Sequence, residues 1–365
     1  MQLNKFYAQE VLNLDISQFP EPLQSVLRVL QLKGAAAAPE VFRLAEAWVW
    51  EQEKQYVPAG LIDEMNGMAQ GLCDSVGGSG CNVTEWQQTI QATNMLPELI
   101  RMACTAFGAW GEATTSKTGL VQLRALDFGG GPFANYTVMA VYRETESGNA
   151  FASVTFPGMV GAITGVSQSG IGISEKVWMT YDTPDLQPGS YHGLADVFVL
   201  RQILENSKTR EDAITYLKNI QRTWAIWIGI GDYSSQRFNL VGYKQDSVEV
   251  YDDVTMPAMS GNPFIDSICY VDKHPQPSHS TDLGEALTDF RGDISLDTTK
   301  TIIQFHQTGD LHTAAYDYGS KEMIVNIGRI NSKGQYGPEG GDDSIWKAYN
   351  RPSLKFNLED LWAGI

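Results

Sequence analysis

Basic side chains are scarce in this sequence. Twenty-six Lys and Arg stand against 43 Asp and Glu, a net charge of −17 with histidine neutral. Phosphate backbones are held by clustered Lys and Arg, and no cluster occurs, so a nucleic-acid interface is excluded. Long apolar runs are missing too: there is no stretch of ~18 apolar residues, so no membrane-spanning helix is expected. Residues 1–10 lack the apolar core of a signal peptide. A lysosomal or secreted location therefore supposes a leader ahead of this sequence; the alternative is the cytoplasm. The sequence has only four cysteines, Cys73, Cys81, Cys104 and Cys269. Their scatter is not the paired spacing of a zinc site, and neither a metal nor a cofactor is expected. Cys73 and Cys81 flank a Gly/Ser turn, which leaves a local disulfide and two reduced thiols both open.

What is present describes an ordinary globular protein, with 43% apolar and 19% charged residues, enough for a large core. Its length allows two units or one large one. Two glycosylation sequons occur, Asn82-Val83-Thr84 and Asn135-Tyr136-Thr137. The texture changes near residue 104. Before it, apolar residues recur at three- and four-residue spacing over Leu23 to Leu32, Val41 to Gln55, Leu61 to Leu72 and Thr84 to Met102, which predicts helices, the last broken at Pro97.

After Cys104, short β-rich runs separated by glycine predict strands over Leu120 to Phe128, Thr137 to Tyr142, Ala150 to Phe156, Gly161 to Val166 and Ile171 to Met179. Helices are predicted for Leu194 to Asn206 and Arg210 to Ile220. A second strand block follows over Trp224 to Ile230, Arg237 to Tyr243 and Val248 to Tyr251. Helical patterns return at Leu283 to Phe290 and Thr298 to Phe305. Two late strands, Thr313 to Asp317 and Met323 to Ile327, precede an open tail. Strand blocks alternating with helical blocks predict an α+β protein, two packed sheets with helices outside.

The chemistry gathers where the helical part ends. Cys104 opens the first predicted strand, and Arg124-Ala125-Leu126-Asp127-Phe128 lies in the next. Strict alternation puts Arg124 and Asp127 on opposite faces; a bulge at Ala125-Leu126 would turn both towards Cys104. Taken alone these residues also have ordinary readings. A buried Cys is usually a small hydrophobe, and Arg three residues from Asp is usually a surface pair.

A resemblance strengthens the catalytic reading. Asp63 to Gly71, Asn94 to Leu99 and Ala103-Cys104-Thr105-Ala106-Phe107 resemble, in that order, the proenzyme junction of one superfamily of N-terminal-nucleophile amidohydrolases. It comprises acid ceramidase, N-acylethanolamine-hydrolysing acid amidase and the acyl-coenzyme A:6-aminopenicillanic-acid acyltransferase peptidase family. Arg124 to Phe128 is similar to that group's Arg-Asn-Leu-Asp-Trp strand, with Ala125 and Phe128 as departures. Gly161 to Ser174 is similar to its Gly-x-Asn-x-x-Gly strand pair, with Ser167 in place of Asn. The Arg201 to Glu205 helix and Gln307 to Asp317 also fit. The resemblance spans roughly residues 58 to 330.

The resemblance implies a four-layer αββα sandwich over residues 104–365, preceded by a helical pro-segment, 1–103, that stays associated after self-cleavage between Ala103 and Cys104. Cleavage frees the Cys104 α-amine, whose unperturbed pKa of ~7.7–8.0 lets it take the thiol proton without a histidine. It further implies that Arg124 lies near the thiol or the acyl carbonyl and that Asp127 holds the α-amine. The oxyanion-hole Asn is matched to Asn262, a turn-forming Asn before Pro being the alternative. Asp232 is expected in a hairpin turn. His192 and His312 are expected to be structural, with His312 the better placed to line a pocket.

The implied reaction is hydrolysis of a linear amide in an N-acylated amine or lipid such as ceramide or an N-acylethanolamine. Partners are then a small-molecule or lipid amide substrate, the chain's own residues 1–103, and transient contact with lipid surfaces. Trp224 to Trp227 and Phe151 to Met159 are candidates for an acyl groove, or plain core strands. The alternatives are a phospholipase B-like ester hydrolase, an acyltransferase with the same nucleophile, and an inactive relative acting as a binding protein.

Overall fold

A computed structural model describes residues 17, 20–32, 38–76, 81–100, 102–117, 119–128, 131–145, 148–180, 190–260, 262–330 and 346–363. Four helices lead: α1 (Glu21–Leu32), α2 (Ala38–Glu53), α3 (Ala59–Val76) and α4 (Val83–Leu99). Asn82 caps α4 by accepting from the Glu85 N–H. The helix runs through Pro97, two residues further than the break expected there, and leaves helical geometry at Ile100. Cys73 and Cys81 are joined by a disulfide across the end of α3.

Thirteen strands follow among the described residues: β1 (Ala103–Trp110), β2 (Leu120–Asp127), β3 (Val138–Tyr142), β4 (Phe151–Thr155), β5 (Thr164–Ser167), β6 (Ile171–Val177), β7 (Ala225–Asp232), β8 (Arg237–Lys244), β9 (Val248–Tyr251), β10 (Ile268–Val271), β11 (His312–Asp317), β12 (Glu322–Ile327) and β13 (Leu354–Asn357). They form two antiparallel sheets, β10-β1-β2-β11-β12-β13 and β3-β4-β5-β6-β7-β8-β9. Helices α5 (Asp196–Asn206), α6 (Arg210–Asn219), α7 (Asp282–Asp289) and α8 (Leu296–His306) are interleaved, and a short α9 (Leu358–Ala363) closes the described chain. The tail expected to be open therefore holds β13, which pairs with β12 through Met323 and Phe356. Four residues with no clear alternation are too short a signal to read as a strand.

Alternation along β1 shows why these strands make layers. Ala106 and Trp110 face the second sheet, packed with Leu120, Val166, Trp178, Trp227 and Phe238. Phe107 and Ala109 face the other way, with Leu283 and Leu287 of α7 and Ile302 and Ile303 of α8. The second sheet turns Ile226, Ile228 and Val241 towards Val199, Leu200 and Ile203 of α5 and Leu217 of α6. The order is helix, sheet, sheet, helix. Gly108 lets the sheets approach closely, since a Cβ there would sit 2.1 Å from Phe238 Cγ.

The leading helices share the core that contains Cys104: Leu61 and Met65 of α3 and Met95 and Leu99 of α4 all join it. Asn94 pins α4 to the loop before β5, its Oδ1 accepting from the Val160 and Gly161 N–H groups at 2.9 and 3.0 Å and its Nδ2 donating to Gly158 O at 2.9 Å. Arg201 of α5 pairs with Glu64 of α3 at 2.9 Å.

Candidate active site

Cys104 is the second residue of β1, fully buried where the leading helices meet the sheets. Opposite it on β2 stands Leu126, and two residues back along the same face is Arg124, paired with Ala106. Both side chains therefore enter the space between the layers. Arg124 Nη2 lies 3.3 Å from Cys104 Sγ. The same nitrogen lies 3.0 Å from Glu175 Oε2, an ion pair with no solvent exposure, while Nε donates to Glu175 O at 3.2 Å. Glu175 Oε2 is 3.9 Å from Sγ. Arg124 Nη1 reaches His312 Nε2 at 2.9 Å, and Thr164 Oγ1 is 3.1 Å from the same nitrogen. A guanidinium has only donors, so Nε2 is the acceptor and the ring is neutral.

Electrostatics follow from burial. Desolvation pushes the Cys104 thiol well above its ordinary range, against the pull of Arg124. Glu175 is likewise raised by burial, with Arg124 opposing. His312 is held well below the usual imidazole range, first by burial and then by the Arg124 charge. Lys176, beside Glu175 and also buried, is lowered by desolvation. Burial thus favours the neutral thiol, with the Glu175 carboxyl and the Arg124 cation against it.

Asp127 is placed differently from the expectation of a bulge. β2 pairs with β1 without interruption from Leu120 to Asp127, so Arg124 and Asp127 face opposite sides of the sheet. Asp127 stands opposite Ala103, the residue before Cys104. Its Oδ1 accepts from the Gly309 N–H at 2.7 Å and its Oδ2 from Thr308 Oγ1, which also contacts Thr105 Oγ1 at 2.8 Å. Burial raises its carboxyl to about 6, against the Thr308 hydrogen bond. Gly309 adopts φ +91°, and a Cβ there would fall 2.1 Å from Thr313 Cγ2.

Asn262 is 9% exposed. It precedes β10, whose first residue, Ile268, pairs with Ala109. The strand then runs towards Cys104, with Asp272 and Lys273 following Val271, which stands opposite Ala106. Sequence reading passed over β10 because it is four residues long, and matched the Asn to the turn before it.

Glu175 was also missed. Ile171, Ile173 and Val177 share its parity on β6 and belong to the apolar core, so alternation gave no cue. β5 pairs with β6 only as far as Ser174, and the Arg124 side chain reaches the next residue there. A charged Glu175-Lys176 pair inside a strand of otherwise buried residues was the available signal.

Of the aromatic candidates, Trp227 stacks on Trp178 between the sheets, with ring centroids 3.9 Å apart. Phe156 lies nearer the site, 6.2 Å from the His312 ring and 5.2 Å from Phe133, which in turn meets Phe128. Asp232 ends β7 and accepts from the Ser234 N–H at 2.7 Å, the turn role expected of it. A cavity of about 460 Å³ lined by Val166, Gly170, Tyr233, Tyr318 and Trp362 lies at the other end of the sandwich, where Tyr318 bonds to Leu120. It is separate from the chemistry at Cys104.

Comparison with known proteins adds the following. No family profile matches the chain. It is 33% identical over 323 residues to Protein dcd1A of Dictyostelium discoideum, covering 85% of this chain and 69% of that protein. It is 31% identical over 325 residues to Protein dcd1B of the same organism, covering 87% and 61%. Among solved structures it is similar to an N-acylethanolamine-hydrolyzing acid amidase ortholog of Caenorhabditis elegans, with TM-score 0.46, 13% identity, and 59% of this chain and 93% of that one covered. Penicillin V acylase from Agrobacterium tumefaciens gives 0.40 and 12%, covering 70% and 92%. A mutant conjugated bile acid hydrolase from Clostridium perfringens gives 0.43 and 12%, covering 70% and 94%. These three enzymes are members of the superfamily that the sequence resembles. At such identities and scores they decide nothing about this chain's chemistry.

Proposed function

Starting from a chain that belongs to the family of Dictyostelium discoideum Protein dcd1A, we propose that it is a self-processing cysteine amidohydrolase of the N-terminal-nucleophile kind. One observation carries the reading: the only side-chain thiol in contact with a buried Arg–Glu pair among the described residues is also the one at the helix-to-sheet junction. Cys269, the other free thiol, is buried in the inter-sheet core.

In the uncut chain Cys104 has no α-amine, and the carboxylate in contact with Sγ is Glu175. Glu175 takes the thiol proton, and Sγ attacks the Ala103 carbonyl carbon. The Ala103–Cys104 C–N bond breaks as Glu175 returns that proton to the leaving nitrogen, giving a thioester and a free amine. Water then cleaves the thioester, freeing residue 103 as a carboxylate and Cys104 as an N-terminal residue. From that point the α-amine serves as base for the thiol. Arg124 holds its charge against the sulfur and the developing oxyanion. Asp127, opposite Ala103, orients the new amine. Cys104 is fully buried in the core that also holds Met65, Leu96, Leu99 and Met102, so the uncut chain should not turn over added substrate.

The substrate class is a linear amide of an N-acylated amine or lipid. Phe128, Phe133 and Phe156 form a run of ring contacts that ends at His312 and supply apolar surface for an acyl chain. The test is an acyl-bearing thiol-reactive probe on acid-incubated protein, with a panel of N-acyl amides and matched esters. Labelling of Cys104 with amide turnover is expected. Equal or absent labelling of Cys104 and Cys269 indicates a relic that only binds; ester turnover without amide turnover indicates a lipase-like relative.

A further inference from the structure

Beyond β10 three side chains converge that amide hydrolysis does not use. Asp272 and His306 are buried and His274 is partly exposed; one ligand atom from each lies within 4.8 Å of the others. His274 Nδ1 is 2.9 Å from Asp272 Oδ2. His306 is the last residue of α8, only 3% exposed, and neither of its ring nitrogens has a hydrogen-bond partner among the described residues. Its ring meets that of His274 edge-on at 5.9 Å. A buried polar atom left unpaired is costly, so an imidazole with two of them calls for a partner. The neighbouring cation does not provide one. Lys273 Nζ donates to His306 O at 3.2 Å and Gln307 O at 2.7 Å, both backbone atoms.

We infer that Asp272, His274 and His306 hold a divalent transition-metal ion of the zinc class, with a fourth position open to water. Two imidazoles and a carboxylate suit zinc-like ions rather than magnesium or calcium, which favour all-oxygen shells. Tetrahedral coordination at ~2.0–2.2 Å sets donors about 3.4 Å apart, so a modest ring rotation closes the observed spread. The outer shell is in place: Gln276 Nε2 and the His274 N–H donate to Asp272 Oδ1 at 2.9 and 3.1 Å, and Ser278 Oγ donates to Oδ2. The exposed side of His274 offers a way in. Loading releases to water any proton carried by a ligand nitrogen.

The ion would tie the end of β10 to the end of α8. Two and three residues past His306 come Thr308 and Gly309, the donors to Asp127. The metal thus fixes the loop behind the catalytic strand and takes no part in bond cleavage. This inference stands apart from the amide-hydrolysis reading.

The test is titration of untagged, chelator-treated full-length protein with Co²⁺, followed by its visible ligand-field absorption, and with Zn²⁺, followed by thermal unfolding. A single saturable tetrahedral Co²⁺ site and a rise in Tm with Zn²⁺ are expected. Affinity should fall at least about tenfold in His306→Gln and in His274→Ala, and stay unchanged in the exposed control His192→Ala. His274→Ala keeps the test decisive should His306→Gln fail to fold. Absence of a saturable site in folded wild type, or equal binding by the folded ligand variants, overturns the assignment.

Discussion

Arg124 joins the two groups that matter most here: one nitrogen, Nη2, lies 3.3 Å from Cys104 Sγ and 3.0 Å from Glu175 Oε2. The ion pair is wholly buried, so its loss strands a charge in the core. Arg124→Met is expected to destabilise the chain by about 3–5 kcal/mol and to abolish cleavage. Urea unfolding and intact mass check both. A variant as stable and as fully cleaved as wild type would remove Arg124 from the account.

Glu175→Gln keeps the shape and removes the carboxylate proposed as base. Cleavage should slow by about 100-fold or more, the usual worth of a positioned general base. The rate of fragment appearance on a denaturing gel reads this directly. An unchanged rate would mean that some other group accepts the Cys104 proton.

Gly309→Ala addresses Asp127 from behind. The substitution is strained at φ +91° and collides with Thr313, so the N–H donated to Asp127 moves. Its stability cost is expected to exceed ~1 kcal/mol. Cleavage should slow with it, whereas Gly60→Ala, at a helical position with open space at its Cβ, should leave cleavage unchanged and not lower stability.

The interface between the leading helices and the sandwich should be favoured by acid. Glu53, Glu98 and Asp196 are buried together, and no Lys or Arg is paired with them among the described residues. Glu98 Oε1 accepts from the Asp196 N–H at 2.7 Å and from Thr223 Oγ1 at 3.2 Å. Burial pushes Glu98 up to about 7, and holds Glu53 and Asp196 well above the carboxylate range, with repulsion from Glu98 adding to both. The buried phenol of Tyr243 also faces Glu98 and Asp196. These folded-state values exceed the unfolded ~4.3, so between roughly pH 4 and 7 the folded chain holds more protons. The stabilisation is present in full below that window and is lost as pH rises through it. Urea midpoints should therefore fall from acid to neutral pH, and Glu53→Gln should flatten the slope. A midpoint that climbs with pH contradicts the argument.

Much of this was legible in the sequence. The switch from helical to strand texture at Cys104 is the real boundary between α4 and β1, because 3.6- and 2-residue periodicities are strong signals over long runs. Cys104 and Arg124 follow from register alone, one strand apart on one face. Asp127 shows the limit: strict alternation was correct and the bulge invoked to bring it to Cys104 is not there. Glu175, His306 and the Asp272 cluster were not legible, since each is brought in by a non-local packing event: a shortened β5, the end of α8 and a four-residue strand.

The most direct test of self-processing is the intact mass of the purified chain before and after acid incubation, beside a Cys104→Ala variant. The account predicts that wild type, 40.3 kDa uncut, resolves into a fragment ending at Ala103 and one beginning at Cys104, while the variant stays whole. If both remain uncut under every condition, or both are cut alike, Cys104 is not the self-cleaving nucleophile.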